Sequence, residues 1–361
     1  MMSLPRHVSF PLVAVAFTLV TFATPLAGQQ NDPPKGTIER ITVHGRALEG
    51  NLEGDSPDRP VIVYLPPSYA KETSRRYPVL YYLHGYGATA EAYAKVLGLP
   101  ASIDRAVAAG VREMIVVLPD AFTKYSGSMY SNSPTIGDWE TFIAQDLPAF
   151  IDKRYRTIAS RETRGLAGHS MGGYGTMRVA MKQPASFAAL YAMSSCCLMN
   201  NPAAGRGAGA RDGAPGRGDA AAGRGDAAGR GAGAGRGNVL ANAQSAQAAA
   251  WAPNPKNPPE FFDLPTKDGE IQPLIAAKWP ANSPLVMVDQ HVPALKTMRA
   301  IALDVGDKDP FVTTNRQLNE ALTRLDIANS LEVYDGDHGN RVGERFASKV
   351  LPFFSKYLDA R

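Results

Sequence analysis

Short apolar runs alternate with stretches of helical periodicity from Thr37 to the end of the chain. Runs rich in branched and aromatic residues predict strands, because such side chains pack well on a buried pleated surface. Predicted strands cover residues 37–43, 59–65, 77–83, 114–118 and 165–167, and further strands begin near residues 188, 299 and 330. Predicted helices cover residues 102–110, 139–154, 173–183 and 341–358, and a helix is expected after each of the last three strands. This alternation predicts an α/β fold with a mostly parallel sheet covered by helices on both faces.

One glycine-rich turn carries a candidate nucleophile. Gly168, Ser170 and Gly172 form a G-x-S-x-G pattern between a predicted strand and the predicted helix 173–183. A serine at a sharp strand-to-helix turn stands clear of the sheet, and the glycines let strand and helix approach closely. The pattern alone is common, but this context favours Ser170 as a nucleophile. The amide N–H of Met171 is then directed at the position of an oxyanion.

A catalytic serine needs a base, and the chain has six histidines to compare. Five have other expected places: His7 in the N-terminal segment, His44 in a strand, His84 at a strand end, His169 in the turn but pointing away from the nucleophile, and His291 in a helix. His338 follows the last predicted strand in a tight Asp-Gly-Asp-His-Gly loop. A histidine after the last strand, together with the serine turn, predicts His338 as the general base.

Three aspartates compete for the role of the acid that orients this histidine: Asp304, Asp307 and Asp309. Asp304 falls within or at the end of a predicted buried strand and should face the interior. A triad acid must accept the imidazole Nδ1–H so that Nε2 faces the serine. We prefer Asp309, because Pro310 fixes the chain before the next helix, and Asp307 remains the alternative. Capping the helix that begins near Phe311 is a structural role open to both.

A second oxyanion donor is expected from the loop after an earlier strand. The predicted strand 77–83 runs directly into His84-Gly85-Tyr86-Gly87. In hydrolases an HG-type loop at this place supplies a backbone N–H. We therefore predict that Tyr86 and Met171 form the oxyanion hole.

Several motifs together resemble the esterase D-like esterase family of the α/β-hydrolase superfamily. They are YYLHGYG, MYSNSP, GDWETFIAQDLPAFID, GLAGHSMGGYG, VGDKDPF and GDHG, and they span residues 37–358 apart from one insertion. This family includes feruloyl and acetylxylan esterases, S-formylglutathione hydrolases, enterochelin-type esterases and mycolyltransferases. The resemblance implies an α/β-hydrolase fold, a triad of Ser170, Asp309 and His338, and oxyanion donors at Tyr86 and Met171.

The loop over residues 120–138 is rich in aromatic, hydroxyl and amide groups, which suit a phenolic or sugar-linked acyl ester. We name Tyr125, Tyr130 and the adjacent Trp139 as candidate substrate contacts. The predicted function is that of a serine carboxylesterase acting on a small-molecule or glycan-linked ester. The alternatives are an acyltransferase of the mycolyltransferase type with the same triad, and a non-catalytic surface-binding protein.

Residues 1–28 have the composition of a cleaved secretory signal peptide. Arg6 precedes a mainly apolar run, and Ala27 and Gly28 offer small residues before a polar stretch. The run is interrupted by Pro11 and is short for a bilayer span of roughly 20 residues. We therefore predict a secreted or periplasmic protein without a stable membrane anchor, whose esterase domain covers residues 29–361.

A low-complexity insert interrupts this domain at residues 203–237. It consists almost entirely of Gly, Ala, Arg and Asp, so it can bury too little apolar surface to offset the entropy of ordering. We predict that it is a disordered, tolerated loop. Most of the net charge of +4 comes from this insert, so the rest of the domain is nearly neutral and no nucleic-acid partner is expected.

The two cysteines, Cys196 and Cys197, are adjacent in the sequence. A bridge between neighbouring residues is strained, so no stabilising disulfide framework is expected. We interpret them as small packed apolar groups, with a redox switch at the cleft edge as the alternative. The sequence contains no CxxC or HExxH motif, and we predict neither a metal nor a cofactor.

Overall fold

The computed structural model describes residues 1–2, 35–200 and 236–359. Contacts divide the chain into two units, Met1–Pro33 and Pro34–Arg361, and the fold given below belongs to the second. The predicted signal peptide after its first two residues, and the predicted insert up to residue 235, lie outside the described residues.

A large sheet of eight strands organises the second unit. The strands in chain order are β1 Thr37–His44, β2 Asp58–Leu65, β3 Val79–Leu83, β4 Ile115–Pro119, β5 Asn132–Ser133, β6 Gly137–Asp138, β7 Arg164–His169, β8 Ala189–Met193, β9 Thr266–Lys267, β10 Glu270–Ile271, β11 Ala300–Gly306 and β12 Ser330–Tyr334. The order across the large sheet is β1-β2-β4-β3-β7-β8-β11-β12, while β5 pairs with β6 and β9 with β10. β1 and β2 are antiparallel to their neighbours, and all other pairs in the large sheet are parallel. The prediction of a mostly parallel α/β sheet is confirmed.

The helices cover both faces of this sheet. In chain order they are α1 Ala90–Val96, α2 Ala101–Ala108, α3 Trp139–Thr141, α4 Leu147–Arg154, α5 Met171–Lys182, α6 Arg236–Trp251, α7 Pro273–Ala276, α8 Lys278–Ala281, α9 Pro284–Met287, α10 Val292–Lys296, α11 Val312–Arg324, α12 Val342–Arg345 and α13 Leu351–Tyr357. Short 3₁₀ turns occur at Arg46–Leu48, Arg161–Thr163 and Val288–Gln290, and π-helical turns at Phe142–Asp146 and Phe346–Val350.

The alternation of side chains along β2 shows how the two layers form. Val61 and Val63 belong to an apolar cluster that includes residues of α4, α5 and α11. Ile62 and Tyr64 point to the other face, into a cluster that includes residues of α1, α2 and α13. Successive side chains of a strand face opposite sides, so one strand contributes to both cores.

Some predicted elements differ from the structure. The predicted helix 139–154 is divided into α3, a π-helical turn and α4. Helix α6 begins at Arg236, so the last two residues of the predicted insert are helical. The short helices α1 and α7 to α9 were not predicted, and His291, which was expected in a helix, directly precedes α10. Within residues 35–200 and 236–359, no helix combines the length and apolar character that a membrane span requires.

The parallel strands bring the predicted site residues to one edge of the sheet. β3 leads into His84 and Gly85, β7 into Ser170, β11 into the loop that holds Asp309, and β12 into the loop that holds His338. Parallel strands end at the same edge, which is where binding and catalytic sites of such sheets lie.

Candidate active site

Ser170 occupies a strained turn between β7 and α5. Its backbone has φ 57° and ψ −115°, a region that non-glycine residues rarely adopt. The flanking glycines are required by close approach: a Cβ on Gly168 would lie 2.4 Å from the Gly172 carbonyl oxygen, and one on Gly172 would lie 2.0 Å from that of Leu83. Any larger residue at either position would push strand and helix apart.

A continuous chain of hydrogen bonds joins three of the predicted residues. Nε2 of His338 lies 2.9 Å from Oγ of Ser170. Nδ1 of His338 lies 2.8 Å from Oδ2 of Asp309. Because the carboxylate can only accept, Nδ1 carries the proton and Nε2 is left as the acceptor for the serine hydroxyl. The His338 side chain is 34% exposed, whereas the Asp309 side chain is fully buried.

Both oxygens of Asp309 have partners. Oδ2 accepts from His338, and Oδ1 accepts from the Phe311 amide N–H at 2.8 Å, just before α11 begins. Burial by itself would raise the pKa of Asp309, but the hydrogen bonds from His338 and the Phe311 amide lower it below its ordinary value. The carboxyl group therefore stays ionised beside the imidazole.

The two competing aspartates lie elsewhere. Asp304 is buried within β11, where it accepts from the Tyr191 hydroxyl at 3.0 Å and from Arg345 at 2.7 Å. Asp307 accepts the Gly336 amide N–H at 3.0 Å and holds the two loops together. Asp304 faces the interior as expected, and neither aspartate is hydrogen-bonded to His338.

His169 supports the loop that carries His338, a role that the sequence did not reveal. Its Nε2 donates to the His338 carbonyl oxygen at 2.7 Å, and its Nδ1 accepts from the Tyr93 hydroxyl at 2.6 Å. The two imidazole rings lie 4.8 Å apart between centroids. Both hydrogen bonds of the His169 ring go to partners other than Ser170, and the ring lies beside that of the predicted base. Burial, and then the charge that His338 can carry, lower the pKa of His169 to about 4, so it is neutral near pH 7.

His84 fixes the orientation of the peptide between Gly85 and Tyr86. Nε2 of His84 accepts the Ala121 amide N–H at 2.8 Å, so Nδ1 carries the proton and donates to the Gly85 carbonyl oxygen at 2.9 Å. This peptide is trans, and its C=O and N–H groups point in opposite directions. The Tyr86 N–H is therefore directed away from His84. Burial lowers the pKa of His84, which keeps it neutral for this role.

The loop of Gly85 lies directly against Ser170. A Cβ built on Gly85 would be 3.4 Å from Cβ of Ser170 and 2.6 Å from the Tyr93 hydroxyl oxygen. Among the described residues, neither the Tyr86 nor the Met171 amide N–H has a hydrogen-bond acceptor. The two predicted oxyanion donors therefore come from the two backbone segments beside Ser170.

The three candidate substrate contacts occupy different environments. Tyr125 is half-buried, accepts at its carbonyl from the Tyr86 hydroxyl at 3.0 Å, and has its ring 5.4 Å from that of Phe262. Tyr130 is fully buried and donates to the His84 carbonyl oxygen at 3.0 Å. Trp139 is buried in the core, where its indole N–H donates to Ile136.

Tyr130 and Trp139 are therefore structural residues, and the prediction that they contact the substrate is corrected. The Tyr130 ring lies so close to α5 that a Cβ on Gly175 would be 2.5 Å from it. The Trp139 ring packs under the Arg59 guanidinium at 5.1 Å from the ring centroid. Polar loop composition cannot tell an aromatic ring that turns inward from one that faces a cleft. Tyr125 alone of the three keeps the environment expected of a substrate contact.

Comparisons with known proteins identify the family to which this chain is similar. The family model described as Putative esterase matches residues 56–346. An esterase of Mycobacterium tuberculosis (strain ATCC 25618 / H37Rv) is 40% identical over 134 residues, which are 36% of this chain and 27% of that protein. An endo-1,4-beta-xylanase/feruloyl esterase of Xylanibacter ruminicola is 31% identical over 162 residues, which are 44% of this chain and 21% of that protein. The matched region is thus about a quarter of the length of these curated relatives.

A solved ferulic acid esterase shares 21% identity and superposes with a TM-score of 0.60, over 90% of this chain and 99% of that chain. At this identity the likeness shows the fold, which is that of the α/β-hydrolases. The family model covers most of the chain, so the chain belongs to the Putative esterase family.

Proposed function

We propose that this chain hydrolyses carboxylic esters through an acyl-enzyme, with Ser170 as nucleophile, His338 as general base and acid, and Asp309 orienting the imidazole. The observation that carries the proposal is the continuous hydrogen-bonded chain from Asp309 through His338 to Ser170. Its placement at a strained strand-to-helix turn supports the same assignment.

The reaction proceeds in two halves. Oγ of Ser170 attacks the ester carbonyl carbon while Nε2 of His338 takes the hydroxyl proton. The bond to the alcohol oxygen then breaks, and the alcohol leaves with that proton. Water attacks the acyl-enzyme with the same base, which releases the carboxylic acid and restores Ser170. Asp309 stays ionised and stabilises the imidazolium formed in each half, in keeping with its lowered pKa.

The oxyanion of each tetrahedral intermediate is proposed to bind the amide N–H groups of Tyr86 and Met171. Both amides lack another acceptor among the described residues, and His84 holds the Gly85–Tyr86 peptide in one orientation. Donors held in place before the reaction lower the barrier, because they need not reorganise as charge develops.

A phenolic or sugar-linked acyl ester is the substrate class that we propose. Phe262, the ring partner of Tyr125, also lines a cavity of about 920 Å³ formed by residues between 254 and 275. Charged and amide side chains line much of that cavity, among them Asn254, Lys256 and Glu260. Tyr125 accepts a hydrogen bond from Tyr86 of the proposed oxyanion loop and contacts Phe262 of this polar cavity, an arrangement that suits an aromatic acyl group on a polar alcohol. The relative named as a feruloyl esterase favours the same class.

Export from the cytoplasm is part of this proposal and rests on residues 1–28, whose composition is that of a signal peptide. Small-molecule or glycan-linked esters are the proposed partners. Nucleic acid and a stable membrane anchor are not part of the proposal.

The test is hydrolysis of p-nitrophenyl acetate, methyl ferulate and acetylated xylan by the wild type and by Ser170→Ala. We expect Ser170→Ala to lose turnover by a factor on the order of 10⁶ while keeping its thermal unfolding curve. Ser348→Ala is the matched control, because that exposed hydroxyl donates only to the Glu344 carbonyl oxygen. Hydrolysis at wild-type rates by Ser170→Ala would refute the proposal. Transfer to an added alcohol in preference to water would favour an acyltransferase instead.

A further inference from the structure

The adjacent cysteines lie just after β8, and their sulfur atoms are in contact. Cys196 is buried and Cys197 is half-buried. The two Sγ atoms are 2.8 Å apart, with the Cys196 thiol donating to the Cys197 sulfur. Cys197 has φ 58°, so its backbone is held in the left-handed region. This backbone brings the two neighbouring side chains to the same side, where they can react with each other.

A second donor is directed at the Cys197 sulfur. Nε2 of Gln247 on α6 lies 3.5 Å from it. The indole N–H of Trp279 donates to Oε1 of the same amide at 3.2 Å, which fixes the amide with its nitrogen towards Cys197. The hydrogen bond with Cys197, and then burial, raise the pKa of Cys196 well above its ordinary value. Cys196 therefore remains a thiol, and Cys197 is the less buried residue of the pair.

The pair is attached to the nucleophilic turn. The Cys196 amide N–H donates to the Ser170 carbonyl oxygen at 3.2 Å. That carbonyl also accepts the Tyr174 amide N–H at 3.0 Å in the first turn of α5. A change in the backbone of the pair would therefore act on Ser170 directly.

We propose that Cys196 and Cys197 form a peroxide-sensitive modification site, at which oxidation closes a disulfide between neighbours and lowers esterase turnover. The sulfur of Cys197 attacks the peroxide oxygen, which gives a sulfenic acid and water when the oxidant is hydrogen peroxide. The Cys196 thiol then displaces the sulfenic hydroxyl, which forms the S–S bond and releases a second water. The balance is two thiols and one peroxide to one disulfide and two waters.

The geometry indicates why this bond would be reversible and why it would reach Ser170. A disulfide between neighbours closes a small ring that contains their own peptide, and strained disulfides are readily reduced. Ring closure must rotate the Cys196–Cys197 backbone. The Cys196 amide N–H of that backbone donates the hydrogen bond to the Ser170 carbonyl oxygen. Misplacing a reacting group by about 1 Å costs up to 10²-fold in rate, so we expect kcat to fall between about tenfold and a hundredfold. The effect on turnover rests on the proposed function, whereas the thiol chemistry does not.

The test treats the reduced, purified chain with hydrogen peroxide, alkylates it after denaturation, and analyses the peptide that contains both cysteines by mass spectrometry. We expect two alkylated thiols before oxidation, and afterwards an unalkylated peptide lighter by two hydrogens, with kcat restored by dithiothreitol. Cys196→Ser and Cys197→Ser should each lose the disulfide and the reversible fall in kcat.

Two free thiols after oxidation, or only sulfinic and sulfonic products, would overturn the proposed site. A disulfide without a change in kcat would overturn its link to Ser170. If the reduced chain has no esterase activity at all, the proposed function fails, and the mass analysis still decides the cysteine chemistry.

Discussion

Replacing Asp309 with asparagine should separate its orienting role from its structural one. Oδ1 of Asp309 accepts the Phe311 amide N–H at 2.8 Å, so the amide oxygen of asparagine should take that place and leave its NH₂ group facing Nδ1 of His338. A donor at that point requires an unprotonated Nδ1, which moves the imidazole proton to Nε2. His338 would then donate to Ser170 and could not accept its proton.

The loss follows from this change of tautomer. The same substitution in a serine triad of known mechanism lowers kcat about 10⁴-fold, which is about 5 kcal/mol of activation free energy at 1.36 kcal/mol for each factor of ten. Initial rates with p-nitrophenyl acetate at saturating substrate give kcat directly. The unfolding midpoint should change little, because the Phe311 hydrogen bond is kept.

Asp307→Asn is the matched control for this experiment. Asp307 accepts from the Gly336 amide N–H and not from His338, so its amide can keep the same hydrogen bond. We expect kcat within a few-fold of wild type. A fall of less than tenfold for Asp309→Asn, or a larger loss for Asp307→Asn, would refute the assignment of the acid.

Three further predictions follow from the surroundings of the triad. His84→Leu should lower kcat about 10²-fold, with little change in KM, because the Gly85–Tyr86 peptide loses the hydrogen bond that fixes its orientation. His84→Asn keeps a donor and should retain more turnover. Equal losses of kcat in the two variants would contradict the role of His84 in orienting this peptide. Gly172→Ala should lower the Tm, because the added Cβ would lie 2.0 Å from a carbonyl oxygen, whereas Gly339→Ala, with no atom within 4 Å, should not. The folded pKa of His169 is about 4 and its unfolded pKa about 6.5, so its contribution to the unfolding free energy is lost as the pH falls. Between pH 7 and 5 this loss should be about 2 kcal/mol in urea titrations and should be absent in His169→Gln.

The strands and the strained turn could be predicted from the sequence, because each depends on local pattern. β12 covers the same residues, 330–334, that the sequence pattern predicted. Gly168 is required by its close approach to Gly172 across the turn, whereas Gly172 is required by its contact with Leu83 of β3. The histidine after β12 could be selected for the same reason: its position in the chain order is enough to indicate its place at the sheet edge.

Contacts between distant segments could not be predicted in this way. The hydrogen bond between Tyr93 and His169 joins residues 76 positions apart, and no local pattern at His169 indicates it. Tyr130 and Trp139 lie in a polar segment, yet tertiary packing turns both rings into the core. The short helices α7 and α9 span only four residues each and begin with proline, so they show too little periodicity to be recognised.

The central claim is that Ser170 is the nucleophile, and covalent trapping tests it most directly. The native chain is treated with a fluorophosphonate, digested, and analysed by mass spectrometry for the modified residue. We expect one phosphonyl group on the peptide of Ser170, formed in step with the loss of esterase activity, and no adduct in Ser170→Ala. An adduct on another residue, or full activity in a chain whose Ser170 is fully modified, would contradict the account.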